Sequence, residues 1–555
     1  MVYTKPHPTI LLIGIALLIL GYLTQVGYLD GTLSWLGSRT KGEMIYLSYA
    51  VGAVASVLGL WHLVGIHREG SIDYYSSAIG GAAFIMLIAM LIRWFGDPLV
   101  AIGSRWLGDT LGWKFGGQYI HGMLGLNYIV LGIVAGMLIV NVFGIPGWAQ
   151  NGVRMSRLGL KTGVILLGTL YFLQEILHLG LASFTLIGIF VLGSVGLVLL
   201  MCRLMRVSNS MGGVLSAGIG VCGVSAAVAA APVVQAKSSE IAYTIGTILL
   251  WGVGCMFVFP IVGKALGMSP EAFGAWAGTG ILNSAQVAGA ALAFQSDGIE
   301  TLKVAEIFNI TRILFLPLIV VWLAVWYVRR ETAAANGAAL GEPRPHSVGA
   351  MAAPAPVAPP EVNVTKVIVD KFPLFVLGFI FMFLLNLTGV FLPKGVSSSD
   401  LWKGSYFDNN LKEDRLLKPK EVAALRTDAA KVTRPDHKAA LDRLVANRKI
   451  MSMADYHALD GLSASGALGR EGKAAVSASK RVVLHTPRII PWFRDWIFWL
   501  FAFGLTGLGM QITMSSLKQA GGEPLVIGGV IGTIKAVGSL IFILVFAGAL
   551  GLQAL

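Results

Sequence analysis

Charged residues are scarce in this sequence. Asp, Glu, Lys and Arg together make up 13% of its 555 residues, whereas a soluble domain usually carries about a quarter. Apolar residues, by contrast, account for 55% of the chain. A long chain with so few charges is not an ordinary soluble protein, and this composition indicates residence in a lipid bilayer.

Cysteines, phosphate-binding motifs and clustered catalytic residues are also lacking. The three cysteines, Cys202, Cys222 and Cys255, lie in or beside apolar runs and predict neither a disulfide framework nor a metal site. No Walker-type loop is present, which argues against ATP-driven pumping within this chain. The sequence contains no cluster of His, Asp and Glu and no activated nucleophile, so we expect neither an enzyme nor a bound cofactor.

Long apolar runs are abundant. A helix that crosses the hydrocarbon core needs about 20 apolar residues, because each adds about 1.5 Å and the core is about 30 Å thick. The sequence therefore predicts an all-α polytopic membrane protein with about 13 transmembrane helices. The predicted spans are residues 8–27, 45–66, 74–95, 122–144, 158–178, 181–204, 211–234, 241–262, 271–295, 304–328, 371–393, 491–515 and 525–551.

Lysine and arginine in the short loops predict the orientation of these helices. Cytoplasmic loops carry an excess of both, and the net charge of +13 partly reflects this bias, since the sequence has no nucleic-acid-binding motif. Alternate threading places the N-terminus in the cytoplasm and the C-terminus outside a bacterial inner membrane. The basic residues predicted on the cytoplasmic side are Arg68, Arg154, Arg157, Lys161, Arg203, Arg206, Lys264, Arg329, Arg330 and Lys518.

Two polar stretches divide the chain. Residues 331–368 contain six prolines among alanines and glycines and predict a flexible linker. Residues 394–490 carry 18 Lys or Arg against 11 Asp or Glu, and predict a small, basic, mostly helical soluble insertion on the outer face. This insertion either docks on a partner protein, a lipid headgroup or the protein's own mouth, or is a solvated loop. The other predicted regions are accessory transmembrane helices (1–118) and a core in three pieces (119–330, 369–393 and 491–555).

Two apolar runs contain clustered glycines, each of which weakens a helix by about 1 kcal/mol relative to alanine. Backbone freed by a helix break has no partner in hydrocarbon, and transporters use such breaks to line a binding cavity. The first run, residues 215–234, contains Gly220, Cys222, Gly223 and Ser225. The alternative interpretation is close packing of small residues against a neighbouring helix.

The second glycine-rich run, residues 273–294, also carries Thr279, Asn283 and Gln286. Amide side chains inside a membrane need hydrogen-bond partners. A transported solute is one such partner, and a neighbouring helix is the alternative.

Two basic residues fall inside predicted helices. Arg312 lies about nine residues into the span 304–328, where a charge costs at least ~2.5 kcal/mol on insertion scales and should face a cavity or a partner. Its planar fork suits an oxyanion, and a structural pair with Glu306 is the alternative. Lys535 lies near the middle of the span 525–551 and is either a second cation of the site or a structural residue.

Short motifs around these positions are shared with a known family. Val221–Ala226 and Ala231–Lys237 are similar to its Ile-Cys-Gly-Ala-Ser-Ala and Ala-Pro-Val-x-x-Ala-Lys motifs. Trp276–Gly278 and Ala285–Val287 are similar to its Trp-Ala-Gly and Ala-Gln-Val motifs, and Asn309–Arg312 to its Lys-x-Thr-Arg motif. The chain thus resembles the YeiH-type family of bacterial membrane proteins, known as sulfate exporters. The resemblance covers residues 122–330, 370–393 and 491–551.

The resemblance implies a core related to sodium/proton antiporters and bile-acid symporters, with inverted repeats and broken helices that cross at the midplane. It also implies that Thr311 belongs to the site. Residues 160–180 and 501–521, each an apolar stretch with glycines followed by another apolar helix, favour an internal repeat. This chain has Leu282–Asn283 and Asn309 where the family has titratable residues, which argues against proton coupling there.

These observations favour a secondary transporter for a small anion of the sulfate, sulfite, sulfonate or carboxylate class, with Na⁺ or H⁺ as candidate coupling ion. The alternative is a membrane scaffold or sensor subunit that binds a partner protein through the extra helices and the insertion. Besides the anion and the bilayer, the candidate partners are a second copy of the chain and a protein bound to the insertion. The predicted binding residues are Gly220, Cys222, Gly223, Ser225, Thr279, Asn283, Gln286, Thr311, Arg312 and Lys535.

Overall fold

The computed structural model confirms an all-α fold. The part of the chain that it describes comprises residues 8–31, 38–64, 71–115, 118–171, 173–295, 299–339, 373–388, 390, 413, 416–483 and 489–546. Within that part, β-structure is confined to one antiparallel pair of two-residue strands, β1 (Lys114–Phe115) and β2 (Gln118–Tyr119). The predicted linker lies mostly outside the described residues, although its first part, 331–339, continues a helix.

The helices are numbered in chain order. They are α1 (Thr9–Gln25), α2 (Ser38–Val64), α3 (Ser71–Leu91), α4 (Asp97–Thr110), α5 (Ile120–Met123), α6 (Tyr128–Leu138), α7 (Gln150–Leu167), α8 (Leu173–Leu204), α9 (Asn209–Gly220), α10 (Val224–Ala230), α11 (Ser238–Ala265), α12 (Pro270–Gly280), α13 (Ser284–Phe294), α14 (Glu300–Leu314), α15 (Leu316–Ala339), α16 (Leu374–Leu387), α17 (Pro419–Ala429), α18 (Pro435–Asn447), α19 (Met453–Ser465), α20 (Arg470–Val483), α21 (Ile489–Gly509), α22 (Met514–Lys518) and α23 (Gly522–Phe546). Two π-helical turns (Ile92–Gly96 and Ile139–Phe143) and two 3₁₀ turns (Gly147–Ala149 and Gly168–Leu170) adjoin them.

Several of these helices have the length and composition of membrane spans. Six described segments of 22 to 33 residues qualify, since about 20 apolar residues cross the hydrocarbon core. Shorter apolar helices, including α1 and α16, accompany them. The six segments are Thr40–Trp61, Ala78–Thr110, Glu175–Leu204, Ser238–Ala265, Glu300–Thr332 and Gly522–Phe546.

The chain forms two compact units. The first comprises residues up to 164 together with 495–514. Inside it, the guanidinium of Arg93 pairs with Glu43, with Nη2 3.1 Å from Oε2, and lies over the rings of Tyr128 and Trp499. The charge of Arg93 is tolerated within an apolar segment because it is paired with Glu43 and stacked on aromatic faces.

The second unit comprises residues 165–494 and 515–555, and its first distinctive feature is a helix that turns back. Helix α9 ends at Gly220, the chain reverses around Gly223 (φ +80°), and α10 returns. The hydroxyl of Ser208, at the start of α9, donates to Glu240 Oε1 at 2.6 Å, and Glu240 lies in the first turn of α11. Because both ends of this segment meet the N-terminal end of α11, α9 and α10 form a re-entrant pair, here called the first hairpin.

A second re-entrant pair enters at the opposite end of α11. Lys264, in the last turn of α11, donates to the carbonyl of Ala293 at 3.1 Å. The rings of Phe273 in α12 and Phe294 in α13 are stacked with centroids 4.0 Å apart. Helices α12 and α13 therefore leave from and return to the C-terminal end of α11, and they are called the second hairpin.

Three details of the predicted topology are consequently wrong. Spans 211–234 and 271–295 turn back instead of crossing. Lys264 and Arg206, which were predicted on the same side of the membrane, therefore lie at opposite ends of α11, because Arg206 adjoins the start of α9. The predicted span 158–178 is also broken, because α8 begins at Leu173 and continues to Leu204. An apolar run reports burial in lipid, but it does not report whether the chain reverses inside it.

The predicted soluble insertion contains a helical module. Residues 416–483, the inserted module, form α17 to α20 around an apolar core, within the stretch 394–490 that was predicted to be mostly helical. His437 in α18 is buried, with Nε2 3.9 Å from Asp436 Oδ2. Burial, together with the neighbouring charge of Arg434, lowers the pKa of His437 below its ordinary value of 6.5.

We expect the inserted module to loosen as the pH falls. The unfolded state takes up the His437 proton first, because the folded-state pKa is depressed, so the stabilisation is present above about pH 6.5 and declines below it. The protection factors of the amides in α18 and α19, which correct for the slower intrinsic exchange at lower pH, should fall between pH 7 and pH 5 in the full-length protein. His437→Gln should remove most of this fall, and equal pH dependence of the protection factors in both proteins would refute the assignment.

Candidate functional site

The tips of the two hairpins meet halfway along α11. The tip of the first hairpin is residues 221–223 and the tip of the second is residues 281–283. A Cβ atom placed on Gly223 would lie 3.0 Å from the Cα of Asn283 and 3.1 Å from Ile248 Cγ2 of α11. Position 223 therefore requires glycine for two reasons: its φ is positive, and a side chain there would collide with the tip of the second hairpin.

Lys535 closes the tip of the first hairpin. Its ammonium donates to the carbonyls of Ile219 (3.0 Å) and Gly220 (3.1 Å), which lie in the last turn of α9. Carbonyls at a helix C-terminus have no partner within the helix, and a cation there also opposes the negative end of the helix dipole. The side chain of Lys535 is 1% exposed, so it is a buried charge held by backbone.

Arg312 closes the tip of the second hairpin in the corresponding way. Its Nη1 donates to the carbonyl of Ile281, the residue that ends α12, and its Nη2 lies 3.5 Å from Ser284 Oγ at the start of α13. Asn283 caps α13 by accepting from the backbone N–H of Ala285 at 3.4 Å. A helix end, a helix start and a buried guanidinium thus meet at one point.

A carboxylate reaches Arg312 through a bridging amide. Asn309 accepts from Arg312 Nη2 at 3.0 Å through its Oδ1 and donates to Glu306 Oε2 at 3.0 Å through its Nδ2. The direct Arg312–Glu306 pair, which was the structural alternative, is replaced by this relay. Sequence reasoning did not assign Glu306, Asn309 or Ser284 to the site, although the spacing of 306, 309 and 312 places Glu306 and Asn309 on the same face of α14 as Arg312.

Gln286 is the most unusual polar side chain near the tips. It is fully buried, and neither its Oε1 nor its Nε2 has a hydrogen-bond partner among the described residues. Its carboxamide lies against Gly252 of α11, in the space that a Cβ atom of residue 252 would occupy. A buried amide without partners is costly, which makes Gln286 a group that a ligand can satisfy.

Of the other predicted residues, Cys222 lies in a tip, whereas the side chains of Thr279, Ser225 and Thr311 have other partners or surroundings. The thiol of Cys222 is buried in the first tip and lies within electrostatic reach of Arg312 and Lys535. Thr279 donates within its own helix to Ala275 O at 2.8 Å, and Ser225 is exposed on α10. The hydroxyl of Thr311 lies 2.9 Å from Ser183 Oγ of α8.

The structure therefore brings most of the predicted residues to the tips, namely Gly220, Cys222, Gly223, Asn283, Gln286, Arg312 and Lys535. The hydroxyl of Thr311 does not lie there. Neighbouring positions on a helix point about 100° apart, so Thr311 and Arg312 cannot face the same partner. Among the described residues, no group of three or more His, Cys, Asp or Glu could hold a metal ion.

A surface cleft of about 620 Å³ lies elsewhere, between α1 and α2 of the first unit. It is mainly apolar, and two of its polar lining groups are paired with each other, since Tyr49 donates to Gln25 Oε1 at 2.6 Å. It lacks the buried polar groups found at the hairpin tips, and we do not assign the site to it.

Comparison with known proteins gives the family. The model of the family "Conserved hypothetical protein 698" matches residues 111–400. A UPF0324 membrane protein of Nitratidesulfovibrio vulgaris is 33% identical over 80% of this chain and 89% of its own length, and another from the same organism is 37% identical over 48% and 68%. A UPF0324 membrane protein of Rhodopirellula baltica is 29% identical over 46% of this chain and 49% of its own length. No solved structure matches. The chain therefore belongs to the conserved hypothetical protein 698 family of UPF0324 membrane proteins.

Proposed function

We propose that this membrane protein is a secondary transporter of a small anion, with the binding site at the two hairpin tips. The observation that carries the proposal is that two helices are unwound at the middle of α11, each with its free carbonyls held by a buried basic side chain. Backbone is left unwound at that depth where it binds a solute or lines its path.

The charges at the tips favour an anion. The described residues there supply two basic side chains, Arg312 and Lys535, and one carboxylate, Glu306, which Asn309 already binds. Arg312 keeps an unpaired Nε–H and Lys535 one donor beyond its two carbonyl bonds. Sulfate, sulfite, sulfonates and carboxylates all offer the acceptor oxygens and negative charge that this arrangement lacks.

The hairpin geometry also suits alternating access. Because the hairpins enter from opposite ends of α11, withdrawal of one tip opens the contact point to one side of the membrane, and withdrawal of the other tip opens it to the other side. The tips are closed in this conformation: Cys222 is 4% exposed and Arg312 0% exposed. This corresponds to an occluded state of the transport cycle.

The motif resemblance to YeiH-type sulfate exporters supports the same substrate class. Asn309, which replaces a lysine of that pattern, bridges Arg312 to Glu306. The scaffold alternative accounts for the extra helices and the inserted module. It does not explain, however, why the Nε–H of Arg312 is buried without a partner among the described residues, which is costly unless a ligand accepts from it.

Replacing either buried cation should abolish most transport. In proteoliposomes offered labelled sulfate, sulfite, taurine-like sulfonates and carboxylates under Na⁺ or H⁺ gradients, Arg312→Gln and Lys535→Gln should lower uptake at least about tenfold, because one charged hydrogen bond is worth about 1.5–3 kcal/mol. Arg330→Gln and Lys518→Gln are matched controls, since both residues are exposed. Absence of wild-type uptake of every anion, or full uptake by both tip variants, would contradict the proposal.

A methyl group at position 252 should interfere with the site. Gly252→Ala places its Cβ where the Gln286 carboxamide lies, so the amide must move away and uptake should fall at least about tenfold. Gly254→Ala is the matched control, two residues along α11, because a Cβ there meets open space. Size-exclusion profiles check folding of both variants. Equal uptake by the two would show that Gln286 does not contribute.

A further inference from the structure

The inserted module holds the entrance of the second hairpin. Arg434, at the start of α18, donates through Nη1 to the carbonyl of Gly267 at 2.8 Å. Gly267 (φ +66°) belongs to the connection that leads from α11 into α12. In the first turn of α12, Glu271 Oε1 lies 3.3 Å from His457 Nδ1 of α19. The first leg of the hairpin is thus bound to two helices of the module.

The module also holds the exit of the hairpin. Gln295, directly after α13, donates through Nε2 to Asp460 Oδ2 of α19 at 2.7 Å. Its Oε1 accepts from the N–H (3.0 Å) and the hydroxyl (2.8 Å) of Thr301 in α14. Gln295 and Asp460 are each 5% exposed, so this contact is shielded from water and stronger than a surface hydrogen bond.

The module orients Asp460 for this contact. Lys480 of α20 pairs with the other oxygen of Asp460, and its ammonium lies 4.6 Å above the ring of Tyr456. Tyr456 in turn donates to Glu300 Oε1 at 3.4 Å, at the start of α14. Burial raises the pKa of the Tyr456 phenol, so it stays protonated and remains a donor.

We propose that the inserted module is a clamp on the second hairpin, and that its release is the step that lets this hairpin withdraw from the tip of the first. Both roots of the hairpin are tied to a body with its own apolar core. The tip therefore cannot leave Gly223 by a movement of the hairpin alone while Arg434 and Asp460 keep their bonds, because the module would have to move with it. Docking of the module stands on these contacts alone, whereas its role in gating rests on the proposed transport function.

The same contacts separate the two hairpins functionally. The described contacts of the module lie at the C-terminal end of α11, whereas the first hairpin meets Glu240 at the N-terminal end. The clamp thus controls opening towards one side of the membrane and leaves the other hairpin to move independently.

Docking is tested by hydrogen exchange on the full-length protein in nanodiscs. Arg434→Ala with His457→Ala removes both contacts at the hairpin entrance and leaves the apolar core of the module intact. Exchange in the first turn of α12 should accelerate about tenfold, whereas the last turn of α13, which Asp460 still holds through Gln295, should change less. Arg443→Ala is the matched control, because Arg443 pairs with Asp455 inside the module, Nη2 to Oδ1 at 2.6 Å. Unchanged exchange in the double variant would overturn the clamp.

Gating is tested by locking the clamp. Cysteines in place of Glu271 and His457 are joined by a short, cleavable thiol crosslinker, with the three native cysteines buried. Anion uptake in proteoliposomes should fall at least about tenfold on crosslinking and recover on cleavage. Undiminished uptake in the crosslinked protein would overturn the gating role. Accelerated exchange in the double variant, combined with no uptake by the wild type, would support the docking contact and reject the transport function.

Discussion

Unpaired backbone inside a membrane is the constraint on which the second unit depends. Each hairpin stops a helix near the middle of α11 and exposes carbonyls that hydrocarbon cannot satisfy. Lys535 binds those of Ile219 and Gly220, and Arg312 binds that of Ile281. Each break is therefore stable only while a helix distant in sequence supplies a cation to it. Under the proposed transport function the same cations bind the anion, so the requirement for folding and the requirement for binding would coincide.

The two hairpins follow one plan but are held differently. Both present a tip to α11 and both are closed by one basic side chain. On the second hairpin, however, the Asn309 amide links the cation to Glu306, and the inserted module binds both roots. The first hairpin is instead anchored to Glu240 at its start. Under the proposed transport function, the two sides of the membrane need not open with equal ease, because withdrawal of each tip would break different bonds.

Glycine sets how closely these parts approach. A side chain at Gly223 would meet Asn283 of the other hairpin, and one at Gly252 would displace the Gln286 carboxamide. In a membrane, where lipid tails are as apolar as leucine, close backbone contact and interhelical hydrogen bonds replace the hydrophobic effect as the source of helix association. The glycines that weaken isolated helices here allow the tips to meet.

The sequence by itself determined the membrane class, the helix breaks near Cys222 and Asn283, and the two buried cations. These follow from local signals: apolar run length, glycine clustering and charge at depth. Tertiary structure decided that both broken segments turn back, so that Lys264 and Arg206 lie at opposite ends of α11, and that Thr311 faces Ser183 instead of the hairpin tips. Run length carries no information about chain direction, and pairings such as Lys535 with Ile219 join residues more than three hundred positions apart. Such contacts are set by packing of the whole unit, and no local pattern encodes them.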